Sequence, residues 1–162
     1  MVALRACVYA STFIGFLLIY FPYAIGQTDR GSLALGPLRY VAIPLFVIGA
    51  IVALRCVYDF IRIGRGTPAP FDPPRALVAQ GWYRWVRNPM YIGGLMLLLG
   101  HVVWWSSIGT AVYTALYCVA TASFVVFYEE PTLKRKFGAP YERYMREVPR
   151  WIPRRPRDGA VQ

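Results

Sequence analysis

The chain has 162 residues, enough for one domain, and 57% of them are hydrophobic while only 16% are charged. Soluble domains average about 25% charged residues, so this composition argues against a water-soluble fold. The net charge of +10 would by itself suit a nucleic-acid partner. Because the basic residues flank apolar stretches, we expect no nucleic acid and interpret the charge as facing the anionic inner leaflet of a membrane.

Three apolar stretches follow one another along the chain. The first two predict membrane-spanning helices at about 4–25 and 37–60, each near the roughly 20 residues that cross the hydrocarbon core. Residues 88–128 contain no Asp, Glu, Lys or Arg, and one helix of that length would be about 60 Å long, twice the core. This third stretch therefore predicts a hairpin of two spans, at about 89–105 and 108–130.

Basic residues are concentrated in the loop 61–88 and in the segment 131–162, whereas the turn of the predicted hairpin has none. The positive-inside rule then places both segments and both termini in the cytoplasm. Tyr141, Tyr144 and Val148 share one face of a short predicted helix, which suits a position in the membrane interface. We expect an all-α integral membrane protein with four transmembrane helices, short cytoplasmic interfacial helices at the C-terminus, and a single domain over the whole chain.

The predicted third span begins at the polar motif Arg87-Asn88-Pro89. Asn88 suits an N-cap and Pro89 a first helical position, and the free N–H groups of a helix start favour a carboxylate or phosphate. Arg87 adds a positive charge beside them, and Gly93 would let a flat ligand approach the backbone. An Asn-Pro cap and a small residue that mediates helix packing are also ordinary structural features.

Two acids, Glu129 and Glu130, come at the end of the predicted fourth span. The C-terminus of a helix is already partly negative and the hydrocarbon boundary disfavours carboxylates, so a cation is expected nearby. Arg87, Lys134 or a lipid amine would serve, and Glu130 could equally open a short helix at Pro131. A ligand with an ammonium group and hydroxyls is the functional alternative.

Both motifs lie at the same membrane face in this topology, and together they suggest S-adenosylmethionine. This molecule carries a carboxylate, an ammonium, a sulfonium, a ribose diol and a purine. Tyr83, Tyr91 and Tyr128 are among the aromatic residues that would sit against the purine or the sulfonium. Trp82 and Trp85 also fit an aromatic belt at the membrane interface.

A family resemblance extends from about residue 62 to 153. The chain resembles the isoprenylcysteine carboxyl methyltransferase family and its phospholipid methyltransferase relatives. The motifs that carry the resemblance are Gly64-Arg65-Gly66-Thr67, Phe71-Asp72-Pro73-Pro74, Gly81-Trp82-Tyr83-Arg84, Val86-Arg87-Asn88-Pro89-Met90-Tyr91-Ile92-Gly93, Glu129-Glu130 with Leu133, and Phe137-Gly138, Tyr141, Tyr144, Val148-Pro149, Trp151 and Pro153. The resemblance implies a membrane methyltransferase that uses S-adenosylmethionine, leaves S-adenosylhomocysteine, and encloses the cofactor at the cytoplasmic rim.

Carried over residue by residue, the resemblance implies a cofactor site. Tyr128 is added to it as an aromatic residue expected beside the purine or the sulfonium. Its predicted members are Gly64, Gly66, Arg87, Asn88, Pro89, Tyr91, Gly93, Tyr128, Glu129 and Glu130. The isoprenylcysteine enzymes usually have His at the position of Asn88, and the run Asn-Pro-Met-Tyr looks closer to the phosphatidylethanolamine enzymes. The acceptor therefore stays open between an isoprenylcysteine-type carboxylate, a phospholipid amine, and a small hydrophobic thiol or acid.

The catalytic residues are expected at the same rim. The single histidine, His101, lies about 20 Å up the helix from Asn88 and is interpreted as a packing residue. Glu129, Glu130 and Tyr91 are then the nearest candidate bases. Three further residues are predicted to bind the substrate, although the arginines would also suit lipid phosphates: Arg146, Arg150 and Trp151.

Other classes of site and protein are less well supported. No Cys or His spacing indicates a metal site. A small four-helix transporter, or a structural or assembly subunit, is the alternative function. Transporters place ionisable residues in mid-membrane, and three of the four predicted spans have none apart from His101. The short chain, rich in Arg, Ala and Gly, points to a bacterial inner membrane.

Overall fold

In the computed structural model of the protein, the residues described are 8, 12, 14–29, 31, 35–64 and 75–155. Gly66, the start of the predicted first span and the final residues of the predicted C-terminal segment lie outside them. All regular secondary structure within these ranges is helical. The elements are α1 (Ile14–Thr28), α2 (Gly36–Gly64), a 3₁₀ turn (Gly81–Arg84), α3 (Pro89–Trp105), α4 (Ile108–Phe137) and α5 (Ala139–Glu147).

Two of these helices are long and apolar enough to cross a membrane, α2 with 29 residues and α4 with 30. The described part of α1 and the whole of α3 are shorter apolar helices. Large apolar side chains on the outer faces of the long helices are exposed, for example Leu54 at 66% and Leu116 at 63%. Exposed apolar surface of this extent in a monomer indicates contact with lipid or a partner, and a membrane protein accounts for it.

The fourth helix is longer than the sequence analysis predicts. A break was expected at Glu130, but α4 continues without one to Phe137. Residues Val125–Glu129 form a π-helical turn, in which the N–H of Glu130 bonds to the carbonyl of Val125, five residues back. The wider turn brings the helix past Pro131, which has no N–H to donate and would otherwise strain a regular α-helix.

Helices α2 and α3 pack closely against each other as an antiparallel pair. Gly49 and Gly93 face each other there: a Cβ on Gly49 would lie 2.8 Å from Gly93 O, and one on Gly93 would lie 3.0 Å from Gly49 O. Small residues let two helix backbones approach in this way inside a membrane, where association depends on van der Waals packing. Gly93 therefore has a demonstrated role in helix packing.

A hydrogen-bonded cluster joins the ends of α1, α3 and α4 on the side opposite α5. Asp29 Oδ2 accepts hydrogen bonds from Ser107 Oγ at 2.8 Å and from the N–H of Gly109 at 2.7 Å. The N–H of Gly31 donates to the carbonyl of Trp105 at 3.1 Å. A carboxylate at the N-terminus of α4 also complements the positive end of the helix dipole, so this cluster fixes the hairpin of α3 and α4 to α1.

At the other end of the bundle, α5 is buried against the protein rather than against lipid. Tyr141 and Tyr144 are only 3% and 4% exposed, and they pack with Ala79 and Val148. This apolar face therefore packs on the protein and not on lipid, and the interfacial position of α5 itself stays a prediction. The sequence predicted that Tyr141, Tyr144 and Val148 would contact lipid. In the structure they contact apolar residues of the loop that precedes α3.

The glycine contact generates a prediction about stability. Gly49→Ala places a methyl group against the backbone of α3 and is expected to destabilise the protein by about 1–3 kcal/mol, the usual cost of overpacking. The matched control is Gly15→Ala, because a Cβ at Gly15 meets nothing within 4 Å. Thermal unfolding in detergent measures both, and an unchanged midpoint for Gly49→Ala would contradict the tight contact.

Candidate functional site

A partly open pocket lies where α2, α4 and α5 meet the loop that precedes α3. It contains about 440 Å³ of empty space, counting its open mouth. Its walls are mostly apolar and aromatic, and four polar side chains converge on it, an arrangement typical of ligand sites. The lining residues are Phe60, Leu77, Val78, Tyr83, Arg87, Asn88, Val125, Glu129, Glu130, Leu133, Phe137, Tyr141 and Tyr144.

Glu130 is the acid with the most partners in this pocket. Arg150 donates to both of its carboxylate oxygens, from Nε to Oε1 at 2.7 Å and from Nη2 to Oε2 at 2.8 Å. Arg87 Nη1 also lies 2.9 Å from Glu130 Oε1. The side chains of Glu130 and Arg87 are only 13% and 11% exposed, so two guanidinium groups neutralise one nearly buried carboxylate.

Arg87 has contacts through its backbone and through its guanidinium, which meets Glu130 and the hydroxyl of Tyr141. Its N–H donates to the carbonyl of Pro149 at 2.9 Å. Its buried Nε, in contrast, has no hydrogen-bond acceptor within the described part of the chain, and Nη1 meets Glu130 at a poor hydrogen-bonding angle. Buried donors are rarely left without an acceptor, so the guanidinium has capacity for a further anionic group.

Glu129 is bound differently from its neighbour. It accepts one hydrogen bond, from the hydroxyl of Tyr91 at 2.9 Å, and no cation pairs with it in the region that the structure describes. Both acids line the pocket, yet only Glu130 is neutralised. A carboxylate without a counter-ion at an apolar boundary is costly, which suits it to a cationic ligand group.

Asn88 lies at the start of α3 as predicted, but its side chain does not cap the helix. The residue is only 7% exposed, and Nδ2 donates instead to the carbonyl of Arg150 at 3.1 Å. Pro89 is the first residue of α3 and is also buried. The motif at the helix start therefore binds the segment that follows α5, a contact between residues 62 positions apart in sequence.

Of the predicted cofactor residues that the structure describes, five are not among those that line the pocket: Gly64, Pro89, Tyr91, Gly93 and Tyr128. Pro89 begins α3, and Tyr91 reaches the pocket only through its hydrogen bond to Glu129. Gly93 faces α2, as described above. Gly64 is buried at the end of α2, where its carbonyl accepts from the N–H of Arg75 at 2.7 Å. Tyr128 is 46% exposed, and its ring stacks on that of Phe124 with centroids 5.0 Å apart. A role for these residues in ligand binding stays a prediction.

The predicted substrate residues are divided between the site and the surface. Trp151 lies beside Tyr91, with ring centroids 6.5 Å apart. Arg150 pairs with Glu130, as described above. Arg146 is exposed on α5. Arg150 thus contacts a residue of the pocket wall, and Trp151 contacts Tyr91, the partner of Glu129. Substrate binding by these residues stays a prediction.

Three buried tyrosines, Tyr83, Tyr141 and Tyr144, belong to the pocket wall. Tyr83 was expected from the sequence to sit against the purine or the sulfonium, whereas Tyr141 and Tyr144 were not assigned a role in the site. Burial raises the pKa of the Tyr141 hydroxyl to about 12 and raises the pKa values of Tyr83 and Tyr144 well above the ordinary range. At neutral pH these hydroxyls stay protonated, so they serve as donors; Tyr144, for example, donates to the carbonyl of Tyr83 at 2.8 Å. The spacing of Tyr141 and Tyr144 on one helix face was the available signal.

The pocket thus combines an acid without a cation and a guanidinium nitrogen without an acceptor. These are the complements of a ligand that carries one positive and one negative group.

Within the described ranges, no three His, Cys, Asp or Glu side chains come together in a way that would hold a metal ion.

Comparison with known proteins gives one match. A model of the phospholipid methyltransferase family matches residues 38–140, well over half of the chain. No curated protein and no solved structure matches the chain. The matched residues include α2 apart from its first two residues, all of α3 and α4, and both acids, and the match ends before Arg150.

The double pairing of Glu130 generates a second prediction. Glu130→Gln leaves Arg87 and Arg150 without their shared counter-ion and is expected to destabilise the protein by about 3 kcal/mol, as for other broken buried pairs. Glu142→Gln is the matched control, because Glu142 and its partner Lys134 are both well exposed, and its unfolding should be unchanged. Equal effects of the two substitutions on the unfolding midpoint would contradict a structural role for Glu130.

Proposed function

Because the chain belongs to the phospholipid methyltransferase family, a family of membrane methyltransferases, we propose that its pocket binds S-adenosylmethionine and that the protein transfers the methyl group to a lipophilic acceptor at the cytoplasmic membrane face. The whole chain would act as one methyltransferase domain in a bacterial inner membrane. The family match supports the reaction class, and the pocket geometry supports the choice of residues.

The observation that carries the proposal is the pair of unmet polar groups in the pocket. Glu129 has an acceptor carboxylate without a cation, and Arg87 has a buried N–H without an acceptor. The amino-acid end of S-adenosylmethionine offers an ammonium and a carboxylate, which would satisfy both. The aromatic wall, which includes Phe60 and Tyr83, suits the purine or the sulfonium.

Each polar residue then has a distinct role in the proposal. S-adenosylmethionine supplies an activated methyl group when it is bound. Arg87 holds the carboxylate, Glu129 holds the cationic end, and Tyr91 orients Glu129 through its hydrogen bond. Apolar residues such as Leu133 and Phe137 exclude water from the acceptor.

Among the predicted catalytic residues, Glu129 is the best candidate for a general base. Glu130 is already paired with two guanidinium groups, and the hydroxyl of Tyr91 donates a hydrogen bond to Glu129. A base is useful when the acceptor is an amine, which loses a proton on methylation, and unnecessary when it is a carboxylate or thiolate. Isoprenylcysteine-type carboxylates, phospholipid amines, and small hydrophobic thiols or acids all remain in the proposed acceptor class.

The proposed topology has four spans with both termini in the cytoplasm. The pocket end of the bundle carries Arg62 from the end of α2, Arg84 and Arg87 from the loop before α3, and the basic residues around α5. Arg39 lies at the opposite end. This asymmetry supports a cytoplasmic pocket. An acceptor tail would then enter from the bilayer beside the apolar wall while its polar end meets the cofactor.

Cofactor binding is tested by titrating S-adenosylhomocysteine into the detergent-solubilised protein in a calorimeter. Wild-type protein is expected to bind at micromolar concentration, and Glu129→Gln to weaken binding about tenfold or more, because a charged hydrogen bond is lost. Arg87→Ala removes the group proposed to hold the carboxylate and is expected to have a comparable effect.

The control for that titration is Glu142→Gln, which makes the same chemical change on the exposed face of α5. Its affinity should match that of the wild type. Absence of binding to folded, monodisperse wild-type protein would overturn the proposal and favour the transporter or assembly-subunit alternative.

The acceptor class is tested with radiolabelled S-adenosylmethionine. Methyl transfer is expected to a prenylated cysteine, a phospholipid amine or a hydrophobic thiol or acid supplied in vesicles, with Glu129→Gln lowering the rate. Transfer only to water-soluble acceptors would contradict the proposed entry from the bilayer.

A further inference from the structure

The segment that follows α5 contacts residues of the pocket wall, Arg87, Asn88 and Glu130, although it lies outside the residues matched by the family. This C-terminal strap, residues 149–154, runs beside the loop that precedes α3. The N–H of Arg87 donates to the carbonyl of Pro149 at 2.9 Å, and the N–H of Arg154 donates to that of Trp85 at 2.9 Å. The strap is therefore fixed at both ends, with Arg150 between them.

Arg150 forms more hydrogen bonds with the carboxylate of Glu130 than Arg87 does. Its guanidinium meets both carboxylate oxygens in the two-pronged geometry that arginine and carboxylate groups prefer, at 2.7 and 2.8 Å. Arg87 reaches only Oε1, at a poor angle, and its Nε has no acceptor in the described part of the chain. Both arginines face the same acid, but only one is satisfied by it.

Without Arg150, Arg87 would be the one cation that the structure places against Glu130 within the described residues. The same preference for a two-pronged pair would then draw Arg87 onto Glu130 and bury the donor that the proposed function assigns to the ligand carboxylate. The carbonyl of Arg150 also accepts from Asn88 Nδ2 at 3.1 Å, so the strap fixes the residue next to Arg87 as well.

We propose that Arg150 is a positioning residue of the cofactor site: by occupying Glu130, it keeps the guanidinium of Arg87 available for the carboxylate of the ligand. The proposal rests on the proposed function of the pocket. It differs from the sequence-based prediction that Arg150 binds the substrate, because here Arg150 acts on the cofactor through Glu130 and Arg87.

The test compares four proteins in the S-adenosylhomocysteine titration: wild type, Arg150→Gln, Glu130→Gln and the double variant. Arg150→Gln is expected to weaken binding about tenfold or more, the scale of one charged hydrogen bond. The double variant is expected to bind several-fold more tightly than Arg150→Gln alone, because Glu130→Gln removes the acid that captures Arg87. A purely structural role of Arg150 predicts no such rescue.

Arg143→Gln is the matched control, since Arg143 is exposed on α5, and it should bind like the wild type. Arg150→Lys serves if Arg150→Gln does not fold; lysine keeps the charge but cannot form the two-pronged pair, so it should also weaken binding. The inference is overturned if Arg150→Gln, or the lysine variant in its place, binds like the wild type, or if the double variant shows no rescue.

A change only in the KM for the acceptor, with an unchanged Kd for S-adenosylhomocysteine, would also overturn the inference and make Arg150 a substrate residue. If the folded wild-type protein does not bind S-adenosylhomocysteine at all, the proposed function fails first, and the positioning role of Arg150 falls with it.

Discussion

A single nearly buried carboxylate, that of Glu130, joins the parts of the protein at the rim of the bundle. It belongs to α4, one of its cations comes from the loop before α3, and the other comes from the strap that follows α5. A carboxylate in such a position is stable only with close cationic partners, so the three segments must assemble around it. The pocket takes its shape from this assembly.

The π-helical turn of α4 lies next to the two acids, whose partners differ. Glu129 accepts from Tyr91 on α3, while Glu130 meets Arg87 and Arg150. A wider turn at Val125–Glu129 also keeps the helix continuous through Pro131, so the acids lie within a helix rather than in a loop. Interruptions of this kind are frequent at functional sites, because they alter the helix where chemistry needs it.

The apolar elements were largely readable from the sequence, and the site was readable only in part. Long runs without charged residues predicted both ends of α3 correctly and the ends of α2 to within a few residues. The length of an apolar run can be counted in the sequence without knowledge of the fold. Glu129, Glu130 and the Arg-Asn-Pro motif were also recognised, because each is a short run of adjacent residues in the sequence. Three features were missed because each depends on segments that meet only in the folded protein. They are the different partners of Glu129 and Glu130, the burial of Tyr141, and the hydrogen bond from Asn88 to Arg150.

The order of the elements along the chain has a consequence for biogenesis. Proteins are synthesised from the N-terminus, so the ribosome adds the residues of α2, α3 and α4 to the chain before it adds those of the strap. The two guanidinium partners of Glu130 therefore come from parts of the chain made at different times, Arg87 before it and Arg150 after it. The charge pattern of the pocket is complete only once residues 149–154 have been made and have folded back onto the loop before α3.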